Sequence, residues 1–520
     1  MPVVGRLRGR LHSRAAVGSR ERQVGQALSP ANPDVPPPKA RPQVQSRVRH
    51  IAAVRLAGGS AQCHLSKPGQ DINFSLCFSC MDQTCGGALA LYQRCISSGV
   101  VEYLQRQAGV KTRRSIYTPQ VVLWLMIRQR LQPKGTLASS VDALLTGAAD
   151  CLLSGCGRAQ QKRISRRTGG YSHARQRLPK QLSWQVMTEL VLRLREILYP
   201  EGVCPIYLLD GSSLELEASP SLRKAYPPAE NQRGRAHWPV LRIVVLHELT
   251  TGLAEAPQWG PMYGAAAVSE QSLAEKAMDA LAGGSILVGD RNFGVFSIAW
   301  GAQQRGLHLV ARLTAERARK LAGGAIAEEG ERPVRWTASR FDGRRQGGMP
   351  EGASVAGRLI AVRIGRGKSK QWLYLFTTAD LAWEQVLELY GKRWNIETDL
   401  RSLKRTVQLH HIAARNESMM EKELVSALAA YNLVRAVMAL AARRHHLVPR
   451  QLSFTFVLNV VNAAWQSLPS ASDAAAYQRA VFDLLDAAAE GVHPNRKKRR
   501  SFPRAAWHRR HSFPAREEPQ

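Results

Sequence analysis

Acidic residues are the scarce class in this chain of 520 residues. Forty Asp and Glu stand against 73 Lys and Arg, a formal net charge of +33. Such an excess repels itself and is held most readily beside a polyanion, which sets the chain apart from near-neutral soluble enzymes. Cysteine is thin as well. The eight present show no disulfide framework, which excludes a stapled secreted scaffold and suits a reducing cytoplasm. Cys77, Cys80 and Cys85 (CFSCMDQTC) have no matching second pair at zinc-finger spacing and read as unligated thiols. Long apolar runs are missing too. The best candidate, Glu423 to Ala442, contains Glu423 and Arg435 and reads as a buried helix, so no membrane contact is expected. The Arg-rich start has no apolar segment of a secretory signal. Glycine clusters such as ALAGGSILVGD lack a phosphate-loop pattern, so no nucleotide is implied.

The positive charge that is present is unevenly spread. Residues 1–60 carry eleven Lys/Arg against two acids, residues 101–200 seventeen against five, and residues 491–520 nine against two. Between about 201 and 490 the balance is nearly even, as in an enzyme body. Residues 1–87 are basic and Pro-rich with little patterned apolar content, and read as a disordered extension. Residues 88–200 have helical periodicity and are expected to form an all-helical DNA-binding domain. Its best candidate contact is the loop Gly157 to Lys180, with eight cations and no acid. There Arg163, Arg166, Arg167, Arg175 and Arg177 could meet phosphates, and Tyr171 could stack on a base.

After residue 200 the pattern becomes α/β. Strands are expected at 203–210, 237–249, more weakly at 252–259, and at 285–290 and 307–314, with helices between the later ones. A Gly- and Arg-rich, β-rich insertion spans about 315–372, and 381–446 reads as almost wholly helical. The catalytic unit is thus expected over 201–446, followed by helices over 447–490 and a basic tail with interleaved aromatics over 491–520.

Two acids stand where the apolar pattern does not explain them. Asp210 ends the run IYLLD and Asp290 ends ILVGD. A carboxylate at the end of a buried strand is costly unless it is paired or binds a cation, and open α/β sheets hold their ligands at such ends. Either alone could be a helix N-cap; two on neighbouring strands are harder to explain that way. The stretch ELYGKRWNIETDLRSLKRTVQLHH, residues 388–411, supplies a third acid. Read as one helix, Leu389, Ile396, Leu400, Leu403 and Val407 fall within about 60°, an apolar stripe. Measured from Tyr390, Arg393 lies at about −60°, Glu397 at about −20° and Lys404 at about −40°, a second stripe at its border. An i,i+4 pair of Arg393 and Glu397 would explain two of these four residues only. Three carboxylates, Asp210, Asp290 and Glu397, make a hard oxygen site suited to two Mg²⁺ or Mn²⁺ ions and phosphodiester displacement. Asp399 points away from Glu397. Glu215 and Glu217 read as surface, and the tandem pairs His410–His411 and His445–His446 diverge if helical.

The spacing Tyr390-(2)-Arg393-(3)-Glu397-(6)-Lys404 resembles the Tyr-Arg-Glu-Lys signature of DDE transposases in the bacterial family named for insertion sequence four. LLDGSS and LVGDRNF are similar to its two aspartate motifs, TGGYSHARQRLP to its amino-terminal segment, and NRKKRRSFPRAAWHRRHSFP to its basic carboxyl end. Asn292 departs from the Gly usual at that position. The resemblance implies an RNase H-like catalytic core interrupted by a β-rich insertion, with Asp210, Asp290 and Glu397 as metal ligands. It implies that Tyr390, Arg393 and Lys404 contact DNA. It also implies cut-and-paste transposition in the cytoplasm, with terminal inverted repeats and target DNA as partners and a homodimer on paired ends. An inactive repeat-binding repressor and a metal-dependent nuclease without strand transfer are the alternatives.

Overall fold

The computed structural model describes residues 87–493, apart from 110–114, 134, 148, 154, 162, 200–201, 233, 341, 343–348, 366–369 and 468–473. The Pro-rich start, Cys77, Cys80, Cys85 and the tail from 494 onward lie outside the described residues.

Local signals set the early helices. Ser97, Thr118 and Thr136 cap α1's successors: α1 is Gly87–Cys95, α2 Ser98–Gln107, α3 Pro119–Leu131 and α4 Leu137–Leu145. Each cap oxygen accepts a backbone N–H of the first turn, which satisfies a donor that the helix itself leaves free. The acid-free stretch expected to be a loop contains a helix instead, α5, Gly169–Arg177. Its Gly-Gly start hides it in the sequence. What folds it is the spacing of Tyr171, Ala174 and Leu178, all buried in the core. Then α6, Lys180–Leu198, buries Leu182, Val186, Leu190, Leu194 and Leu198 along one face.

Nine strands form one mixed sheet in the order β2-β3-β1-β5-β6-β9-β8-β7, with β4 on β3. The first three main strands are an antiparallel meander: β1 (Ile206–Glu215), β3 (Gly234–Glu248) and β4 (Ala254–Pro261), with the short β2 (Pro228–Asn231) at its edge. β5 (Ile286–Gly289) and β6 (His308–Arg312) then join parallel to β1, each after a helix: α7 (Glu270–Met278) and α8 (Phe296–Gln304). This order and these directions fit an RNase H-like core. The β-rich insertion follows as α9 (Ala315–Ala322), β7 (Gly330–Thr337) and β8 (Ser354–Ile364). It extends the same sheet through β9 (Gln371–Thr377), which pairs antiparallel with β6.

The run expected to be almost wholly helical is broken. α10 (Trp383–Gly391) passes through a 3₁₀ turn at Lys392–Trp394 into α11 (Asn395–Arg401), and a π turn follows at Ser402–Thr406. An irregular link leads to α12, Glu417–Arg444. The apolar stripe nonetheless behaves as expected: Leu389, Ile396, Leu400, Leu403 and Val407 are all buried. α10 and α11 pack on one face of the sheet through Val386, Leu389, Ile396 and Leu400. α7 and α8 cover the other face. α12 is long and apolar enough to cross a membrane, yet 94% of that stretch is buried inside the protein. Its neighbours are α3 and α6, so the early helices and α12 share a continuous core. α13 (Phe454–Ser467) and α14 (Ala474–Ala489) close the described chain.

Candidate active site

Parallel pairing brings the two aspartates side by side. The β1–β5 register ends at Leu209 opposite Gly289, and Asp210 and Asp290 are the next residues on each chain. Asp290 does leave the end of its strand. Asp210 does not: β1 runs on antiparallel to β3, with Asp210 opposite Val245, as far as Glu215. The reading of Asp210 as a strand terminus is corrected to a mid-strand residue at the point where one neighbour departs. Apolar periodicity could not reveal this, because Gly211 to Glu215 pair through backbone groups that every residue carries.

The pocket of charge is under strain. Burial and the nearby Asp290 and Glu270 carboxylates push the Asp210 carboxyl up to about 6, against the pull of the Gly211 N–H (2.8 Å) and of Arg393. Two adjacent carboxylates that one guanidinium, shared with Glu397, does not neutralise gain from a hard divalent cation, which accepts several oxygen ligands. On chemistry, then, these donors fit Mg²⁺ or Mn²⁺. Glu397 is less advanced. Its Oε1 lies 3.6 Å from Arg393 Nη2, and among the described residues no three His, Cys, Asp or Glu side chains group closely enough to hold an ion. The structure thus brings Asp210 and Asp290 together and holds Glu397 nearby on the guanidinium that also faces Asp210.

Tyr390 is half-buried, within electrostatic reach of Arg393, of Arg312 at the end of β6 and of Asp290. Lys404 is tied down rather than free: its Nζ donates to Ser212 Oγ (3.1 Å) and to the Ser213 carbonyl (3.0 Å) on β1. Burial lowers its pKa from the ordinary lysine value. The π turn that begins at Ser402 shifts Lys404 off the ideal helical stripe and carries it over the strand.

Two side chains near the acids escaped sequence reading. The Glu270 carboxyl lies against the backbone of Gly211, so close that a Cβ there would fall 2.4 Å from its Cδ. Asn292 Nδ2 donates to Glu270, while its backbone N–H donates to Asp290 Oδ1 at 2.8 Å. In sequence, Glu270 looks like an ordinary first-turn acid after the Ser269 cap. Arg312 carried a usable signal: LVAR ends the third parallel strand just as IYLLD and ILVGD precede acids on the other two.

The DNA contacts expected near residue 170 divide. Arg163, Arg166, Arg167 and Arg177 are exposed. Tyr171 is corrected: it is fully buried, donates to Gln129 Oε1 at 2.9 Å and stacks on Tyr117, so no face is left for a base. Arg175 is corrected as well, since its guanidinium is spent on Glu423 at 2.7 Å. Glu423 also binds Arg130 at 2.9 Å, which seals α5 and α3 to α12. His410 and His411 do not diverge on a helix; they lie in the irregular link with ring centroids 4.0 Å apart, and His410 Nδ1 bonds the Lys404 carbonyl. Asp399 points away from Glu397, as expected, into a buried cluster of arginines.

A transposase DDE domain profile matches residues 204–433, the span that holds Asp210, Asp290 and the Tyr390-to-Lys404 segment. Transposase InsG for insertion sequence element IS4 of Escherichia coli (strain K12) is 26% identical over 425 residues, covering 78% of this chain and 89% of InsG. Residues 204–433 are thus similar to a transposase DDE domain, and most of the chain is similar to an insertion-sequence transposase. Among solved structures, a piggyBac transposase synaptic complex with hairpin DNA aligns over 81% of this chain and 84% of its own, at 10% identity and a TM-score of 0.37.

Proposed function

We propose that this chain is a DDE-type insertion-sequence transposase that cleaves phosphodiesters at the ends of its element and joins the freed 3′-hydroxyls to target DNA by a cut-and-paste route. The observation that carries the reading is the side-by-side Asp210 and Asp290 with Asp210 pushed up to about 6, next to the helix of Arg393 and Glu397. Asp210, Asp290 and Glu397 would hold two Mg²⁺ or Mn²⁺ ions, which when bound activate the attacking oxygen and stabilise the leaving one. The chain's own residues do the rest. Arg393 retains the Glu397 carboxylate near the aspartates and offers a donor to a DNA phosphate when that carboxylate turns away. Tyr390, between the charges of Arg393 and Arg312, presents its hydroxyl near Asp290. Lys404 sets a positive charge along β1 just past Asp210, where a phosphate crossing the strand would meet it. Arg163, Arg166, Arg167 and Arg177 bind backbone phosphates farther out, with two copies acting on paired ends in a bacterial cytoplasm.

The test is cleavage and joining of DNA carrying the element's own terminal repeats, with Mg²⁺ or Mn²⁺. Wild type should cut at the ends and join them, while Asp290→Ala and Glu397→Ala should bind ends and do neither. Full activity in either variant would overturn the site. Binding without cutting by wild type would favour an inactive repeat-binding protein, and cutting without joining a nuclease.

A further inference from the structure

We propose that Asp399 is a positioning residue for Glu397, acting through a buried arginine clamp that sets the rotation and depth of α11. This rests on the reading of Glu397 as a metal ligand given above.

α11 is a poor support for a residue that must be held to a fraction of an ångström. It has seven residues, bounded by a 3₁₀ turn before and a π turn after, so its own hydrogen-bond ladder is short and interrupted. Ile396 and Leu400 bury its apolar side, but apolar contacts are non-directional and tolerate sliding. Asp399 supplies the direction. Its side chain is completely buried and sits two positions, about 200° of helix, from Glu397. A grip on Asp399 therefore fixes the helix from the side opposite the aspartates of β1 and β5.

The grip comes from three elements distant in sequence. Arg435 of α12 pairs with Asp399 Oδ1 and is itself held by the Tyr431 hydroxyl at 2.9 Å. Arg450 reaches both carboxylate oxygens, at 3.0 and 2.8 Å. The same guanidinium donates to the carbonyls of Leu249 and Glu248, the latter at 3.0 Å, at the end of β3. β3 is the strand paired with β1, so the clamp references Glu397 to the sheet that carries Asp210. A buried ion cluster of this kind is weak evidence for stability, since an apolar replacement of similar shape is often no worse. Directional, charge-assisted bonds to three elements are what an apolar patch could not reproduce.

The experiment uses the full chain with Asp399→Asn, which keeps the shape and removes the charge, and with Arg450→Gln as a milder break should the first fail to fold. Four quantities are read: thermal unfolding, affinity for terminal-repeat DNA, Mn²⁺ affinity by titration calorimetry, and single-turnover cleavage against Mn²⁺ concentration. We expect end binding within twofold of wild type, Mn²⁺ affinity at least about tenfold weaker, and a cleavage midpoint displaced to higher Mn²⁺ by a similar factor. In a Glu397→Ala background the Asp399 change should weaken Mn²⁺ binding no further, because residues acting as a unit are non-additive. A lowered melting temperature with Mn²⁺ affinity and cleavage per folded molecule unchanged would reduce Asp399 to a structural role and sink the proposal. So would additive losses in the double variant. If Glu397→Ala itself kept full cleavage and Mn²⁺ affinity, it is the reading of the site that would fail.

Discussion

Asp210 and Asp399 are the same residue type in the same sheet-and-helix core, yet their surroundings treat them in opposite ways. Burial raises both. At Asp210 nothing offsets it sufficiently: Asp290 and Glu270 add their own repulsion, and the carboxyl stands at about 6. At Asp399 burial is outweighed by Arg435 and Arg450, and its pKa falls below the ordinary carboxylate value. The lesson concerns what a buried acid is for. A clamped acid such as Asp399 comes with its cations built into the chain, whereas Asp210, proposed for the site, is left short of positive charge, a deficit that a metal ion and a phosphodiester transition state can use.

The two regions can be set against each other by mutation. The largest effect is expected from Asp290→Ala or Glu397→Ala: loss of several kcal/mol of transition-state stabilisation, or about 10³-fold or more in single-turnover cleavage, with end binding retained. Next is Asp399→Ala, which strands two buried guanidiniums and should cost about 3–5 kcal/mol in urea unfolding. Asp210→Asn should go the other way. In metal-free buffer at pH 7 it should stabilise the fold by about 2 kcal/mol, given roughly 1.4 kcal/mol for each unit of displacement and some residual solvent.

Their pH dependence should also be of opposite sign. Because the folded pKa of Asp210 lies above its ordinary 3.8, its contribution is fully present below about 3.8 and is lost as pH rises through about 6. The advantage of Asp210→Asn should therefore fade as metal-free samples are taken below pH 6. Asp399 contributes stability above its ordinary value, lost as pH falls through its lowered folded pKa. Unfolding titrations of the two variants from pH 3 to 8 check both signs.

A smaller contrast separates the surface arginines from Tyr171. Replacing Arg163, Arg166 and Arg167 together with Ala should reduce the slope of log affinity against log salt by up to about 2.7, if all three reach phosphates. Tyr171→Phe should leave that slope unchanged and cost about 1 kcal/mol of stability, the worth of its bond to Gln129. A salt slope that changed with Tyr171 would mean that its ring reaches DNA after all.

Much of this architecture was readable in one dimension because it is local or periodic. The runs IYLLD and ILVGD announce buried strands that reach an acid, though only the second ends there, and the 388–407 stripe announces the face that packs on the sheet. Capping residues such as Thr118 and Thr136 mark helix starts within a residue or two. The continuation of β1 past Asp210 was not readable, since its partner β3 lies some thirty residues on and pairs through backbone alone. Nor was the π turn that takes Lys404 to Ser212, which is a compromise between helix and strand contacts.

Sequence alone thus singled out the residues proposed to carry the chemistry: two strand-borne aspartates and the Tyr390, Arg393, Glu397, Lys404 spacing, because residue type and short spacing are properties of the chain itself. Tertiary structure decided how each is used. It buried Tyr171, gave Arg175 to Glu423, brought Glu270 against Gly211 and surrounded Asp399 with arginines from α12 and the segment after it. The physical reason is that burial and charge compensation depend on partners tens to hundreds of residues away, and an acid's pKa is set by those partners rather than by its neighbours in the chain.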